Sequence, residues 1–209
     1  MIKEYICQHK NLFWSILVFI LVVVIVILIN KPEKFHVYED HIILKREGVM
    51  CELVDQTQYY IDSISPNSAL DALLLVDLCL DYDIDLCFVL AQGRLESLYG
   101  VTGIARKTNS VWNVYAYDGS EFEEINRKGK YKNPNHSIEP YLKLLKNRYL
   151  VDKTEWDLMD EFVDKDGHRY ASAEDYEKKL SNIYLSIRSQ TDIDNLFLQV
   201  KKYNMLLNN

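Results

Sequence analysis

Residues 89–119 read VLAQGRLESLYGVTGIARKTNSVWNVYAYDG, and two different periods meet inside this one stretch. Its first part continues a helix whose cap is Asp85, running through LCFVLAQGRLESL towards the natural stop at Gly100. Cys87, Ala91, Leu95 and Leu98 recur at helical spacing and define the expected core face. Glu96 falls on the neighbouring stripe, one and two turns beyond Gly93 and Val89. A carboxylate beside a core face has its ionised form disfavoured by desolvation, which suits it to proton donation near neutral pH. At Gly93 the missing side chain would leave room for something to approach. In the second part, VWNVYAYDG alternates around Asp118 and Gly119, the pattern of a small hairpin.

Outward from this stretch, helical spacing predicts more helices than strands. SPNSALDALLLVDLCLDY begins with Ser65 as a cap and Pro66 at the first helical position. Ile138, Tyr141, Leu142, Leu145 and Tyr149 form another apolar stripe. Tyr176, Leu180, Ile183, Tyr184 and Ile187 form a third, with Ser172 as its cap, and Ile193, Leu196, Phe197, Val200 and Leu207 a last one. Residues 31–64 read as short strands or a partly ordered neck.

Residues 12–29, LFWSILVFILVVVIVILI, are apolar without a break except for the Ser15 hydroxyl. At about 1.5 Å per residue such a run covers roughly 27 Å, the hydrocarbon thickness of a bilayer. No small-residue cleavage site follows it, so it reads as an uncleaved transmembrane anchor rather than a signal peptide. Lys31, Lys34, Lys45 and Arg46 follow the run while Lys3 and Lys10 precede it, a weak bias towards a cytoplasmic C-terminal side. The expected organisation is a short segment 1–11, an anchor 12–30, a neck 31–64, a catalytic domain 65–190 and a C-terminal helix 191–209.

Composition narrows the function classes. The net charge of -7 over 209 residues leaves no basic stripe for a nucleic acid. Cys51, Cys79 and Cys87 follow the apolar run without a Cys-x-x-Cys pair, and the apolar surroundings of Cys79 and Cys87 mark buried thiols. DYDIDL at 81–86 starts like a calcium loop, but Leu86 and Gln92 occupy the positions that need Gly and Glu. His136 and His168 lack zinc spacing. No metal or cofactor is expected.

The opening stretch resembles the core signature of the glucosaminidase domain, glycoside hydrolase family 73, in which A-Q-x-x-x-E-S is followed by aromatic-Gly and then T/S-G-I/L-A-R-x-T-N-N-x-F-G-I. YKNPNHSIEPYLKLL and RYASAEDYEKKLSNIY are similar to two later segments of that family, so the likeness spans residues 69–187 in order. The resemblance implies an α+β, mainly α, lysozyme-like domain with a small β-hairpin lobe. It implies hydrolysis of the β-1,4 bond after N-acetylglucosamine in peptidoglycan, with the domain on the extracytoplasmic side facing the cell wall. It places the essential acid on Glu96 and a catalytic-site tyrosine on Tyr170. The second carboxylate comes from YDGSEFEEI, where Glu123 and Asp118 are the leading candidates beside Glu121 and Glu124. Asn109, Trp112, Tyr115 and Tyr117 match the region that floors the sugar groove, and Tyr176 joins them as a substrate-binding residue. Ser110 and Asn113 depart from the family's Asn and Gly, so a side chain stands at 113 where the family has none. A lytic transglycosylase on the same fold, and a non-catalytic module that binds glycan or lysis partners, are the alternatives.

Overall fold

The computed structural model describes residues 19–21, 34–114 and 131–208. The chain divides into two compact units, 1–42 and 43–209. In the first, Phe19–Leu21 is helical and exposed. The helices are α1 (Lys34–Ile64), α2 (Ala72–Tyr82), α3 (Leu86–Ser97), α4 (Ala105–Thr108), α5 (Ile138–Leu144), α6 (Glu155–Asp160), α7 (Tyr176–Gln190) and α8 (Ile193–Leu207). A 3₁₀ turn, Pro134–Ser137, leads into α5, and a π turn, Leu145–Tyr149, continues it.

α3 is the centre of the second unit. Asp85 caps it by accepting from the Phe88 backbone N–H at 3.1 Å. Its first two turns are buried on every face, from Leu86 to Gly93, so the single apolar stripe expected along it is replaced by burial all round. A helix enclosed in this way needs neighbours on several sides, and α7 supplies the most extensive of them. α7 buries Tyr176, Leu180, Tyr184 and Ile187, a clean helical stripe. α8 adds Ile193, Leu196, Phe197 and Val200. Cys79 and Cys87 are buried free thiols.

Several local expectations are revised. The segment read as strands or a neck is the helix α1, because Leu53, Thr57, Tyr60 and Ile61 recur at helical spacing and are buried. The start expected at Ser65 and Pro66 is displaced to Asp71, whose side chain accepts from Leu74 N–H at 3.2 Å. Ser65 instead donates its hydroxyl to the Leu98 carbonyl at 2.8 Å, tying the α1 exit to the end of α3. The N-cap of α7 is Asp175 rather than Ser172.

The fold class is corrected from α+β to helical. Among the described residues there is no strand and no sheet; Val163 and Arg169 form an isolated antiparallel bridge. The alternation in VWNV does not extend into a strand because Asn109 and Asn113 both take φ of 57°. The Asn113 N–H closes a turn onto the Ser110 carbonyl at 3.1 Å, and the Ser110 hydroxyl bonds the Val114 carbonyl at 2.5 Å. Val111, Trp112 and Val114 are all buried, where a half-buried strand would turn alternate residues outward. The rest of the expected hairpin lies outside the described residues. A helical lysozyme-like fold fits the arrangement.

The single-pass membrane localisation is corrected too. No helix among the described residues is long and apolar enough to cross a membrane. The long helix α1 carries Glu39, Asp40, Lys45, Arg46, Glu47, Glu52, Asp55 and Asp62 along its length, which no bilayer span tolerates. Of residues 12–29, all but Phe19–Leu21 lie outside the described residues, and an extracytoplasmic placement built on an anchor there has no structural footing.

Candidate active site

Glu96 sits in the last turn of α3, just where the helix leaves its fully buried part. The chain then turns sharply: Leu98, Tyr99 and Gly100 have φ of 48°, 57° and 89°. Two non-glycine residues in the left-handed region cost conformational energy, and packing must hold them there. Tyr99 is driven fully into the core, and Ser97 bridges the loop, donating to the Val111 carbonyl at 2.6 Å while accepting from Gly100 N–H at 2.8 Å. The loop is thereby folded back so that Trp112 and Asn113 reach the end of α3.

Gly93 has a different purpose from the one its spacing implied. A Cβ there would meet the Trp112 indole nitrogen at 3.1 Å and the Tyr99 ring at 3.3 Å. The room left by the missing side chain is filled by the protein's own indole. Trp112 is buried, donates Nε1–H to the Val89 carbonyl at 3.1 Å, and stacks on Tyr141 with ring centroids 4.5 Å apart and an interplanar angle of 6°.

Above this layer opens a cleft of 580 Å³, lined by Leu95, Glu96, Trp112, Asn113, Val114, Leu144, Arg148, Tyr149, Tyr170, Ala171, Ser172, Ala173, Asp175, Tyr176 and Lys179. Glu96 Oε1 accepts from the Tyr176 hydroxyl at 2.5 Å, and Oε2 accepts from Asn113 Nδ2 at 2.6 Å. Burial pushes the Glu96 carboxyl above its ordinary range, against the opposing pull of the Tyr176 and Asn113 bonds. Tyr170 donates to the Trp112 carbonyl at 2.5 Å, and its ring stacks on Phe162 at 4.7 Å.

Two ion pairs brace the walls. Lys179 meets Asp175, the N-cap of α7, at 2.8 Å, and Arg148 meets the buried Asp164 at 2.5 Å. Burial alone would raise the Asp164 carboxyl, but the backbone N–H groups of His168 and Asp166 and the Arg148 guanidinium hold it at about 2.

The structure therefore brings Glu96, Trp112, Tyr170 and Tyr176 together at one cleft. Asn109 is elsewhere: its Nδ2 holds the Tyr131 carbonyl at 2.8 Å. Tyr115, Tyr117, Asp118, Glu121, Glu123 and Glu124 lie outside the described residues. Residue-by-residue reading missed Gln92 as a partner of the site, although it stands one helical turn before Glu96 and that spacing is the signal that finds it. Arg148, Tyr149 and Lys179 carried no local signal.

The cleft thus presents one partly buried carboxyl, that of Glu96, among aromatic side chains. Residues 73–189 match the family model Glucosaminidase, described as mannosyl-glycoprotein endo-beta-N-acetylglucosaminidase, and because they make up more than half of the 209 residues, the chain belongs to that family. It is a glycoside hydrolase of the peptidoglycan-hydrolase kind, with a glycan as its substrate class. No curated protein matches the chain.

Proposed function

We propose that the protein is an endo-β-N-acetylglucosaminidase that cleaves the β-1,4 bond after N-acetylglucosamine in peptidoglycan, with Glu96 as the general acid. The observation that carries this reading is the position of Glu96. Its carboxyl lines the cleft yet is desolvated enough for its proton to be held above the ordinary carboxylate range. Such a group delivers a proton to the leaving glycosidic oxygen as the oxocarbenium-like transition state forms. Tyr170, on the cleft wall, offers ring surface to the apolar faces of the sugars. The second carboxylate is assigned to Glu123 or Asp118, in the segment that begins directly after the cleft-lining Val114.

The test is digestion of purified sacculi by the full chain, wild type beside Glu96→Gln, with the released ends identified by mass spectrometry. Wild type is expected to release reducing N-acetylglucosamine, and Glu96→Gln to lose at least about a hundredfold in rate. Anhydromuramic ends from wild type would instead identify a transglycosylase, and binding without release by either protein would sink the hydrolytic reading.

A further inference from the structure

We propose that the two oxygens of Glu96 have separate, fixed roles: Oε1 is held as a permanent acceptor by a chain of three buried groups, and Oε2, facing Asn113, carries the exchangeable proton. This deepens the reading above and rests on Glu96 being the acid. The chain runs from the Tyr141 hydroxyl to Gln92 Oε1, from Gln92 Nε2 to the Tyr176 hydroxyl at 3.1 Å, and from that hydroxyl to Glu96 Oε1 at 2.5 Å. Its direction is forced from the carboxylate outward. An ionised Glu96 can only accept, so Tyr176 donates to it. Tyr176 then accepts from the Gln92 amide nitrogen, which leaves the Gln92 oxygen facing Tyr141, and Tyr141 must donate.

A proton on Oε1 would reverse every one of these groups. Glu96 would donate to Tyr176, whose hydrogen would turn towards Gln92; the Gln92 amide would flip and set its NH₂ against the Tyr141 hydroxyl. The Tyr141 hydrogen would lose its acceptor inside a site where Tyr141 and Gln92 are both 0% exposed. Protonation of Oε2 asks for one rotation only. Asn113 Oδ1 is buried without a hydrogen-bond partner among the described residues. Turning the Asn113 amide brings that oxygen to Oε2 as an acceptor, at the loss of the long 3.4 Å contact of Nδ2 with the Glu96 carbonyl and with the NH₂ moved to the position that Oδ1 held. Asn113 thus changes from donor to acceptor between the carboxylate and the acid, whereas Tyr176 donates to Oε1 in both and is held more strongly by the anion. Asn113, Tyr176, Gln92 and Tyr141 are positioning residues for the proton.

The other titratable groups on the described walls are Tyr149 and Arg148 from the π turn, Tyr170 from the loop before α7, and Asp175 and Lys179 at the start of α7. Arg148 is engaged by Asp164 and Lys179 by Asp175.

The experiment is a ¹³C NMR titration of Glu96 in the full chain, labelled at the glutamate carboxyl and assigned by the signal lost in Glu96→Gln, with the pH–rate profile on sacculi measured in parallel. Tyr176→Phe keeps the ring and removes a donor that binds the anion more strongly than the acid, so it is expected to lower the ionisation constant of Glu96 by about tenfold. Asn113→Gly suits the positive φ and removes a group that serves both forms, so its effect is in the same direction and smaller. An effect of Asn113→Gly equal to or larger than that of Tyr176→Phe overturns the assignment. Should Tyr176→Phe fail to fold, Tyr141→Phe keeps the stack on Trp112 and makes no hydrogen bond to Glu96, yet must still lower the constant; no change there overturns the chain. If the titrations move as expected while the alkaline limb of the rate profile stays fixed, the acid role of Glu96 fails and the proton assignment stands.

Discussion

Glu96 is held against its own preference for water, and the consequence reaches stability as well as chemistry. Its folded pKa lies above the unfolded value, with desolvation the leading cause. Between those two values the folded state binds the proton and the unfolded state does not, so the contribution to stability is full below the unfolded pKa and is lost as pH rises through the folded one. Wherever Glu96 is ionised, its buried charge is a net burden. Glu96→Gln removes it and keeps the shape, with its amide oxygen placed to accept from Tyr176 and its NH₂ to donate to Asn113 Oδ1 once the Asn113 amide has turned. The stability of the variant relative to wild type is expected to rise as pH is raised from 4 to 8; denaturant melts at the two pH values check it. None of the partners that set this balance is local except Gln92. Tyr176 is 80 residues from Glu96 along the chain, and Tyr141 is 49 from Gln92. The pattern around Glu96 disclosed a carboxyl at a core margin; what surrounds it depends on long-range packing that no periodicity reports.

At the scale of elements, the junction between α3 and the loop that follows it sets the height of the cleft floor. Gly93 is the tightest point of that junction, because Trp112 and Tyr99 occupy the space above it. Neither ring can give way: the indole is pinned by Val89 and by its stack on Tyr141, and Tyr99 is fully buried. Alanine is the better helix former by about 1 kcal/mol, yet the overlap it creates outweighs that gain. Gly93→Ala is expected to destabilise by about 1–2 kcal/mol in thermal or urea unfolding. A stabilised variant would show that the indole can shift. This junction also shows where sequence reading succeeds and where it stops. Asp85 is legible as the cap of α3 because an acidic residue before an apolar run has one local use there, and the structure adds that it also accepts from Tyr184 at 2.9 Å. Ser65 is equally well placed for a cap, but its hydroxyl is taken by Leu98, a partner 33 residues away. The alternation in VWNV does not become a strand for a backbone reason, since left-handed asparagines at 109 and 113 wind the chain into turns although the side-chain pattern alternates.

For the whole molecule, the carboxylates fall into two groups that pull the pH dependence of stability in opposite directions. Asp164 is held at about 2 by backbone donors and Arg148 against the cost of burial, and Glu177 is held low, again against burial, by backbone N–H groups and Arg169. Stability from these groups is present above their unfolded values and is lost as pH falls through the folded ones, a window from about 4 down to about 2 for Asp164. Glu96, Asp85 and Asp77 are raised, chiefly by burial, and their contribution is lost as pH rises above the ordinary carboxylate range. The net charge of -7 at pH 7 acts in the same sense as the raised group, because protonation on the way to the pI of 5.3 relieves self-repulsion. The two trends cross in mildly acidic solution, and the melting temperature is expected to peak near about pH 5 and to fall on both sides. Asp164→Asn separates the limbs. It removes the charge that Arg148 and the His168 and Asp166 backbone share, so it is expected to cost about 2 kcal/mol at pH 6, with the difference from wild type closing as pH approaches 2. Melts of both proteins between pH 2 and pH 8 check this, and a difference that stays constant down to pH 2 would mean that packing around Asp164, and not its charge, braces the wall that carries Arg148 and Tyr170.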